Sequence, residues 1–270
     1  MEIKKDEFLM FANFIRKNFG INLTEKKTTF IISRLGTTIE KHGFNNFSDY
    51  FKYIVDDKSG EAIIEFINKI TTNHTYFYRE EKHFEFFKSD VLPYIMKVEK
   101  HAKDIRIWSA GCSSGEEPYT LTMLLNELAG YELTTWDSKI LATDLSNYVL
   151  LKGKSGIYPY DSLKYLPSSW GKKYFKDIDE SNVVIDNKIK NSVIFRRFNL
   201  MEPFPFRKKF HLILCRNVMI YFNEETKNEL IEKFYDFLEP GGYLFIGHSE
   251  TIDRNKSRFN YIRPAIYRKG

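Results

Sequence analysis

Glu116 and Glu117 are adjacent acids, and their position between a loop of small residues and a predicted helix suggests that they bind a ligand. Ile105 and Ile107 indicate a buried strand, and residues 109–115, which separate it from the two acids, are all small. From residue 116 onward leucines recur with helical spacing, and Pro118 stands in the first turn of the predicted helix. A strand, a glycine-bearing loop and a helix in this order form the opening unit of a doubly wound α/β nucleotide-binding fold.

The loop lacks the features of the common phosphate-binding loops. It does not follow the G-x-G-x-x-G pattern, and no lysine follows Gly115, which excludes a dinucleotide fingerprint and a P-loop. Two carboxylates at this position repel a pyrophosphate and attract a cationic group. S-adenosylmethionine carries a sulfonium and an ammonium but no phosphate, so the loop predicts a site for this cofactor.

Polar residues follow each of the apolar runs that alternate with helical or loop segments after residue 104. The alternation predicts a mainly parallel sheet, in which ligands bind at the carboxyl ends of the strands. The polar residues at these predicted ends are Glu117, Asp144, Asn199, Arg216, Asn217, His248 and Glu250. Asp144 lies near the sequence offset at which an acid binds ribose hydroxyls in such folds. We therefore expect these side chains to line one site.

The chain divides into a helical part and an α/β part. Residues 1–72 contain only helical apolar patterns and predict a small N-terminal domain, and residues 73–270 predict the α/β domain. Within the latter, 172–197 is predicted to be a small β-rich insertion. A helix that begins after Asn223 is expected to stop at 240–242, before a strand at 243–246, and the tail is expected to add an antiparallel edge hairpin.

Composition excludes several classes of protein. A hydrophobic content of 43% and an aromatic content of 16% exclude a disordered chain. The net charge of +5 is spread along the sequence, whereas a nucleic-acid binder concentrates its basic residues. Without an apolar leader, a membrane-length run or more than two cysteines, the chain is predicted to be cytoplasmic and free of disulfides. It is also expected to be a monomer. Cys112 and Cys215 are expected near the cleft without a nucleophilic role.

Several motifs together resemble the CheR-type chemotaxis receptor methyltransferases over nearly the whole chain. They are TTNHTYFYRE, WSAGCSSGEEPYT, ATDLS, SGIY, FNL, ILCRNVMIYF and LEPGGYLFIGHSE. The resemblance implies a Rossmann-like class I S-adenosylmethionine methyltransferase domain with a mixed, mainly parallel sheet. It also implies a small all-helical domain before it, an inserted β-subdomain, and methylation of receptor glutamate side chains.

The resemblance also implies roles for individual residues. The expected cofactor contacts are Asn73, Thr75, Arg79, Glu117, Asp144, Asn199, Leu200, Arg216 and Asn217. Glu117 is expected near the methionine portion and Asp144 near the ribose. Tyr221 is expected beside the reactive methyl group, and Arg79 is expected to orient the acceptor carboxylate through a charge-assisted hydrogen bond.

The implied partner is the cytoplasmic helical domain of chemoreceptors, and two features of the chain bear on docking. The second predicted helix carries only Lys26, Lys27, Arg34 and Lys41 as basic residues, where the family has an arginine-rich helix facing the receptor. The insertion lacks the glycine-bearing loop of members that dock on a receptor's C-terminal peptide. Neither nucleic acid nor membrane insertion is expected.

The implied reaction is an in-line displacement by a glutamate carboxylate, with S-adenosylhomocysteine as the product. This carboxylate is ionised at neutral pH, so no general base is expected. No metal is expected either, since His74 and His248 lack a ligand partner at a usable sequence spacing. A nucleic-acid methyltransferase is disfavoured because Arg216–Asn217–Val218 stands where N/D-P-P-[YF] would be. The alternative from another class is a non-catalytic S-adenosylmethionine-binding signalling adaptor.

Overall fold

A computed structural model describes residues 2–130 and 132–270. The α-helices in chain order are α1 (Lys5–Phe19), α2 (Thr28–Lys41), α3 (Phe47–Asp56), α4 (Glu61–Ile70), α5 (Glu81–Phe86), α6 (Leu92–Val98), α7 (Glu116–Ala129), α8 (Asn147–Ser155), α9 (Ser168–Tyr174), α10 (Asn187–Lys190) and α11 (Glu224–Phe237). The strands are β1 (Ile107–Ala110), β2 (Ile140–Asp144), β3 (Ile157–Pro159), β4 (Phe175–Asp177), β5 (Asn182–Ile185), β6 (Val193–Arg197), β7 (Phe210–Cys215), β8 (Leu238–Ile246), β9 (Asn260–Arg263) and β10 (Ile266–Arg268).

The main sheet has the strand order β6-β2-β1-β7-β8-β10-β9. Pairing is parallel from β6 through β8, and β10 pairs antiparallel with both β8 and β9. The sheet is therefore mixed and mainly parallel, which confirms the predicted fold class. The edge hairpin expected in the tail is also confirmed as β9 and β10.

The central parallel strands β1 and β7 are buried along their whole length, as strands covered on both faces are expected to be. Alternate residues of β1 point to opposite faces, so Ile107 packs in the core that contains Leu121 and Leu124 of α7, while Trp108 packs with Phe234 of α11. The Trp108 ring is fully buried among phenylalanines, and its indole N–H donates a 2.9 Å hydrogen bond to Thr143. This hydrogen bond helps to hold the ends of β1 and β2 side by side.

A separate small sheet has the order β3-β5-β4. The predicted insertion at 172–197 therefore has the wrong bounds at both ends. Ile157–Pro159, which is too short to show an alternating pattern, pairs antiparallel with β5 and belongs to the small sheet. Val193–Arg197 pairs parallel with β2 over its whole length and belongs to the main sheet.

The transition from α11 to β8 also differs from the prediction. The helix ends at Phe237, and the strand already begins at Leu238, before the Pro–Gly–Gly sequence that was expected to stop the helix. Leu238 pairs with Phe210 of β7, and the register then shifts before Leu212 pairs with Tyr243. Strand pairing, a long-range contact, overrides the local breaker residues here.

Helices α1–α4 pack around their own apolar core, in which Phe11, Ile31 and Leu35 are fully buried. Backbone groups tie this bundle to the segment after β7. Ile21 forms an antiparallel bridge with Phe222, and the Asn22 N–H donates a 2.7 Å hydrogen bond to the Tyr221 carbonyl. The helical part thus holds the backbone at Tyr221.

None of the helices in the described part of the chain is both long enough and apolar enough to cross a bilayer.

Gly111, directly after β1, is required by its backbone and its surroundings. Its φ of 84° is a left-handed conformation, and a Cβ there would clash with a methyl group of Val218. Left-handed backbone costs about 1–2 kcal/mol for a non-glycine residue, and overpacking costs about 1–3 kcal/mol. We predict that Gly111→Ala lowers the free energy of unfolding, measured by urea denaturation, by about 2–5 kcal/mol.

Two further variants control this prediction. The double variant Gly111→Ala, Val218→Ala should recover the steric part of the loss and keep the backbone part. Gly36 lies in α2 with open space around it, so Gly36→Ala should be neutral or stabilise by up to about 1 kcal/mol. Equal stability of Gly111→Ala and Gly36→Ala would contradict the prediction.

Candidate cofactor-binding and active site

A cleft opens at the carboxyl ends of β1, β2 and β7, with the helical bundle forming its opposite wall. Every predicted cofactor or catalytic residue lines this one cleft: Asn73, Thr75, Arg79, Glu117, Asp144, Asn199, Leu200, Arg216, Asn217 and Tyr221. They come from segments as far apart as residues 73 and 221. Because the ends of parallel strands meet at one edge of the sheet, distant positions in the sequence become neighbours here.

The two acids at the start of α7 have different surroundings. Glu117 faces the cleft, where its Oε1 accepts a 2.6 Å hydrogen bond from the Ser109 hydroxyl. The Glu116 carboxylate is buried away from it and accepts hydrogen bonds from the Ser114 hydroxyl at 2.8 and 3.0 Å. Burial raises the pKa of Glu116 above its ordinary value. Glu117 is therefore the acid that can meet a cationic ligand.

Asp144, at the end of β2, is buried at the floor of the cleft. One of its oxygens accepts from the Ser113 N–H and the other from the Ser146 N–H, both at 2.9 Å. Burial raises the pKa of this carboxyl, against the effect of the two backbone donors. Since a carboxylate has about four lone-pair sites, each oxygen can accept one more hydrogen bond, which suits a pair of vicinal hydroxyls.

Arg216, after β7, is buried between two carboxylates. Its Nη1 donates to Glu117 at 2.9 Å, while Nε and Nη2 donate to Oε2 of Glu80 at 3.2 and 3.1 Å. Its Nη2 also donates to the Arg79 carbonyl. Only 3% of the Arg216 side chain is exposed, so this guanidinium is held in one position by Glu80 on one side and Glu117 on the other.

The sequence did not identify Glu80 as part of this arrangement. It lies at the end of the TTNHTYFYRE motif, but 136 positions from Arg216, and no spacing rule connects the two. Burial alone would raise the pKa of the Glu80 carboxyl. The His83 ring, whose Nδ1 lies 3.3 Å from Oε2, the charge of Arg216 and the donors of His248 and Asn217 outweigh burial and hold that pKa well below its ordinary value.

Asn217, next to Arg216, has a left-handed backbone with φ 58°. Its N–H donates to the Glu250 carboxylate at 3.0 Å, and its side-chain amide donates to Glu80 at 3.3 Å. Glu250 also accepts from the N–H groups of Gly247 and Ile220, so it closes the two turns that follow β7 and β8. Glu250 therefore holds the turn that carries Asn217, and it does not line the cleft.

Asn199 and Asn73 join the cleft to neighbouring segments. The Asn199 side chain donates a 2.7 Å hydrogen bond to the Asn18 carbonyl at the end of α1. The Asn73 carbonyl accepts from the Ser113 hydroxyl at 2.9 Å, which ties the interdomain segment to the loop after β1. Both residues line the cleft while also connecting the helical part to the sheet.

Arg79 and Tyr221 stand on the rim. The Arg79 side chain donates a 2.7 Å hydrogen bond to the His74 carbonyl, and its guanidinium lies 5.9 Å from the Tyr76 ring centroid. The Lys27 ammonium lies 5.6 Å from the Tyr221 ring centroid. Lys27 therefore lines the cleft rather than the outer surface of the helical domain, a position that the sequence did not indicate.

His248 lies in a cluster that sequence spacing could not show. Potential ligand atoms of His248, His83 and Glu80 are within 4.8 Å of one another, as in some metal sites. The Glu80 oxygens, however, already accept from Arg216, Asn217 and the His248 N–H. Glu80 is thus engaged by hydrogen-bond donors, whereas both ring nitrogens of the buried His83 have no hydrogen-bond partner, and its Nδ1 lies 3.3 Å from Oε2 of Glu80. Of the two cysteines, Cys112 lines the cleft, whereas Cys215 is fully buried in β7; burial raises the pKa of both thiols.

The donor set fits S-adenosylmethionine. Glu117 presents a carboxylate that suits an ammonium group, Asp144 has free acceptor positions that suit vicinal hydroxyls, and Arg79 presents a cation at the rim that suits a carboxylate.

Comparisons with known proteins match both parts of the chain. The family model described as "CheR methyltransferase, all-alpha domain" matches residues 6–71, and "CheR methyltransferase, SAM binding domain" matches residues 73–267. A chemotaxis protein methyltransferase of Borreliella burgdorferi is 46% identical, over 100% of this chain and 96% of the relative.

More distant relatives match over similar lengths. A probable chemotaxis protein methyltransferase of Rhizobium etli is 33% identical, over 94% of this chain and 96% of its own. The chemotaxis protein methyltransferase of Escherichia coli is 32% identical, over 96% of this chain and 89% of its own. With its helical part, its sheet and its motifs all matched, the chain belongs to the CheR methyltransferase family.

Proposed function

We propose that this chain transfers the methyl group of S-adenosylmethionine to glutamate side chains in the cytoplasmic helical domain of chemoreceptors. The products are glutamate methyl esters and S-adenosylhomocysteine. The observation that carries the proposal is the cleft itself. It combines an acid for the cofactor's ammonium with a rim of Arg79, Tyr221 and Lys27, where an acidic protein segment could enter.

The side chains of the cleft divide between the two ligands. Glu117 and Asp144, both fixed by hydrogen bonds, hold the cofactor's tail and ribose. When bound, S-adenosylmethionine supplies a methyl group made electrophilic by its sulfonium. Tyr221, held through its own backbone by Asn22, forms the wall beside that methyl group.

The acceptor needs to be oriented rather than activated. A glutamate carboxyl has an ordinary pKa of about 4.3, so it is ionised at neutral pH and no residue has to remove a proton. Arg79 is a half-buried cation on the rim, with one of its guanidinium nitrogens bonded to the His74 carbonyl. The remaining N–H groups can hold an incoming carboxylate, and such positioning is a large part of the rate advantage in two-substrate reactions.

The proposed chemistry is tested by methyl transfer from labelled S-adenosylmethionine to a purified receptor cytoplasmic fragment. We predict label on receptor glutamates, released as methanol by mild base because it is held as an ester. A receptor fragment with glutamine at the labelled positions serves as the control and should stay unlabelled. Cofactor binding without transfer would contradict the proposal and support a signalling adaptor, and base-stable label would indicate a different acceptor.

The role of Arg79 is tested by steady-state kinetics. Loss of a charge-assisted hydrogen bond costs about 1.5–3 kcal/mol, so Arg79→Ala should lower kcat about tenfold to a hundredfold. S-adenosylhomocysteine affinity should fall by less, and Arg79→Lys should restore kcat only in part because a point charge replaces a planar fork. Arg207→Ala, an exposed arginine outside the cleft, should leave both quantities unchanged. Lost product affinity with unchanged kcat would make Arg79 a cofactor ligand only.

A further inference from the structure

The Glu80 carboxylate accepts hydrogen bonds from two turns of the main sheet that lie far from it in sequence. Glu80 precedes α5 with a left-handed backbone, φ 59°, and only 12% of its side chain is exposed. Oε2 accepts from Arg216, and Oε1 accepts from the Asn217 amide at 3.3 Å and the His248 N–H at 3.1 Å. One carboxylate thus joins the interdomain segment to the turns after β7 and β8.

The segments that meet at Glu80 carry the predicted cofactor contacts. Arg79 directly precedes it, and Arg216 and Asn217 bond to it through their side chains. Tyr78, with φ 60°, shares with Glu80 a left-handed backbone that is unfavourable for these residue types, and Asn217 has the same conformation, φ 58°, which asparagine adopts more readily. Such conformations persist where the surrounding contacts over-determine them, and at Glu80 and Asn217 the hydrogen bond between the two side chains is one such contact.

The second consequence of Glu80 concerns charge. Arg216 is flanked by Glu80 and Glu117, so the three groups together carry a net charge of −1 when all are ionised. Without the Glu80 charge, Arg216 would neutralise Glu117 alone. Glu117 would then attract an ammonium group less strongly, and in a largely buried cluster this difference is only weakly screened.

We infer that Glu80 is a positioning residue for the amino-acid tail of the cofactor: it holds Arg216 and leaves the Glu117 charge available to the tail's ammonium group. This inference rests on the proposed placement of the cofactor in the cleft. The inference predicts that Glu80 affects the affinity for ligands with the amino-acid tail and not for ligands without it, since Glu80 acts at the end of the cleft that receives the tail. Asp144, which is expected to bind the ribose, is fixed by other partners, Ser113 and Ser146.

The test compares two ligands by calorimetry. S-adenosylhomocysteine has the amino-acid tail, and 5′-methylthioadenosine has the same adenosine and thioether without it. For Glu80→Gln we expect a loss of at least about tenfold in S-adenosylhomocysteine affinity, the size of one charge-assisted hydrogen bond, and a change of less than about threefold for 5′-methylthioadenosine. Glu81→Gln removes an exposed carboxylate from the adjacent position and should change neither affinity.

Three results would overturn the inference: equal losses for the two ligands, which a purely structural role predicts, no loss for either, or a loss confined to 5′-methylthioadenosine. If Glu80→Gln does not fold, Glu80→Asp keeps the charge on a shorter side chain, and the same selective loss for S-adenosylhomocysteine is expected. Receptor methylation is not measured in this test. A wrong acceptor would therefore leave its outcome unchanged, whereas failure of the wild-type chain to bind either ligand would contradict the cofactor placement itself.

Discussion

The buried guanidinium of Arg216, paired with Glu80 on one side and Glu117 on the other, is the interaction on which the cleft depends. A buried charge is costly unless it is paired, and removing one partner of a buried pair typically costs about 3–5 kcal/mol. Three segments far apart in sequence must therefore come together before Arg216 can be buried. The same condition that makes the pairing stable also brings the predicted cofactor residues into one place.

The helical domain completes the cleft rather than standing apart from it. Backbone bonds from Ile21 and Asn22 fix the turn that carries Tyr221, and Asn199 bonds back to the end of α1. Lys27 then reaches the rim from the helical side. In the proposed reaction the acceptor would approach through a gap bounded by both domains, so recognition of the acceptor and alignment with the methyl group would be properties of one rigid arrangement.

Much of the fold and of the cleft could be predicted from the sequence because local residue patterns determine the strands, the helices and the loop between them. The small-residue loop before Glu117 and the polar residues after each strand predicted a cleft at one edge of the sheet. The structure brings together those that follow β1, β2, β6 and β7, whereas His248 and Glu250, after β8, lie outside the cleft lining. Glu80 was missed because its partners are distant in sequence and its own surroundings look like a linker. The bounds of the small sheet were wrong because three-residue strands such as β3 carry no periodic pattern, and the start of β8 was missed because pairing with β7 outweighs the Pro–Gly–Gly sequence.

The central claim is that cofactor and acceptor meet around this ion-paired cluster, and a crystal structure of the chain with S-adenosylhomocysteine tests it most directly. We predict both ribose hydroxyls on Asp144, the amino group on Glu117, and the sulfur facing the rim between Arg79 and Tyr221. A product bound with its ribose away from Asp144, or with its sulfur turned from that rim, would contradict the claim.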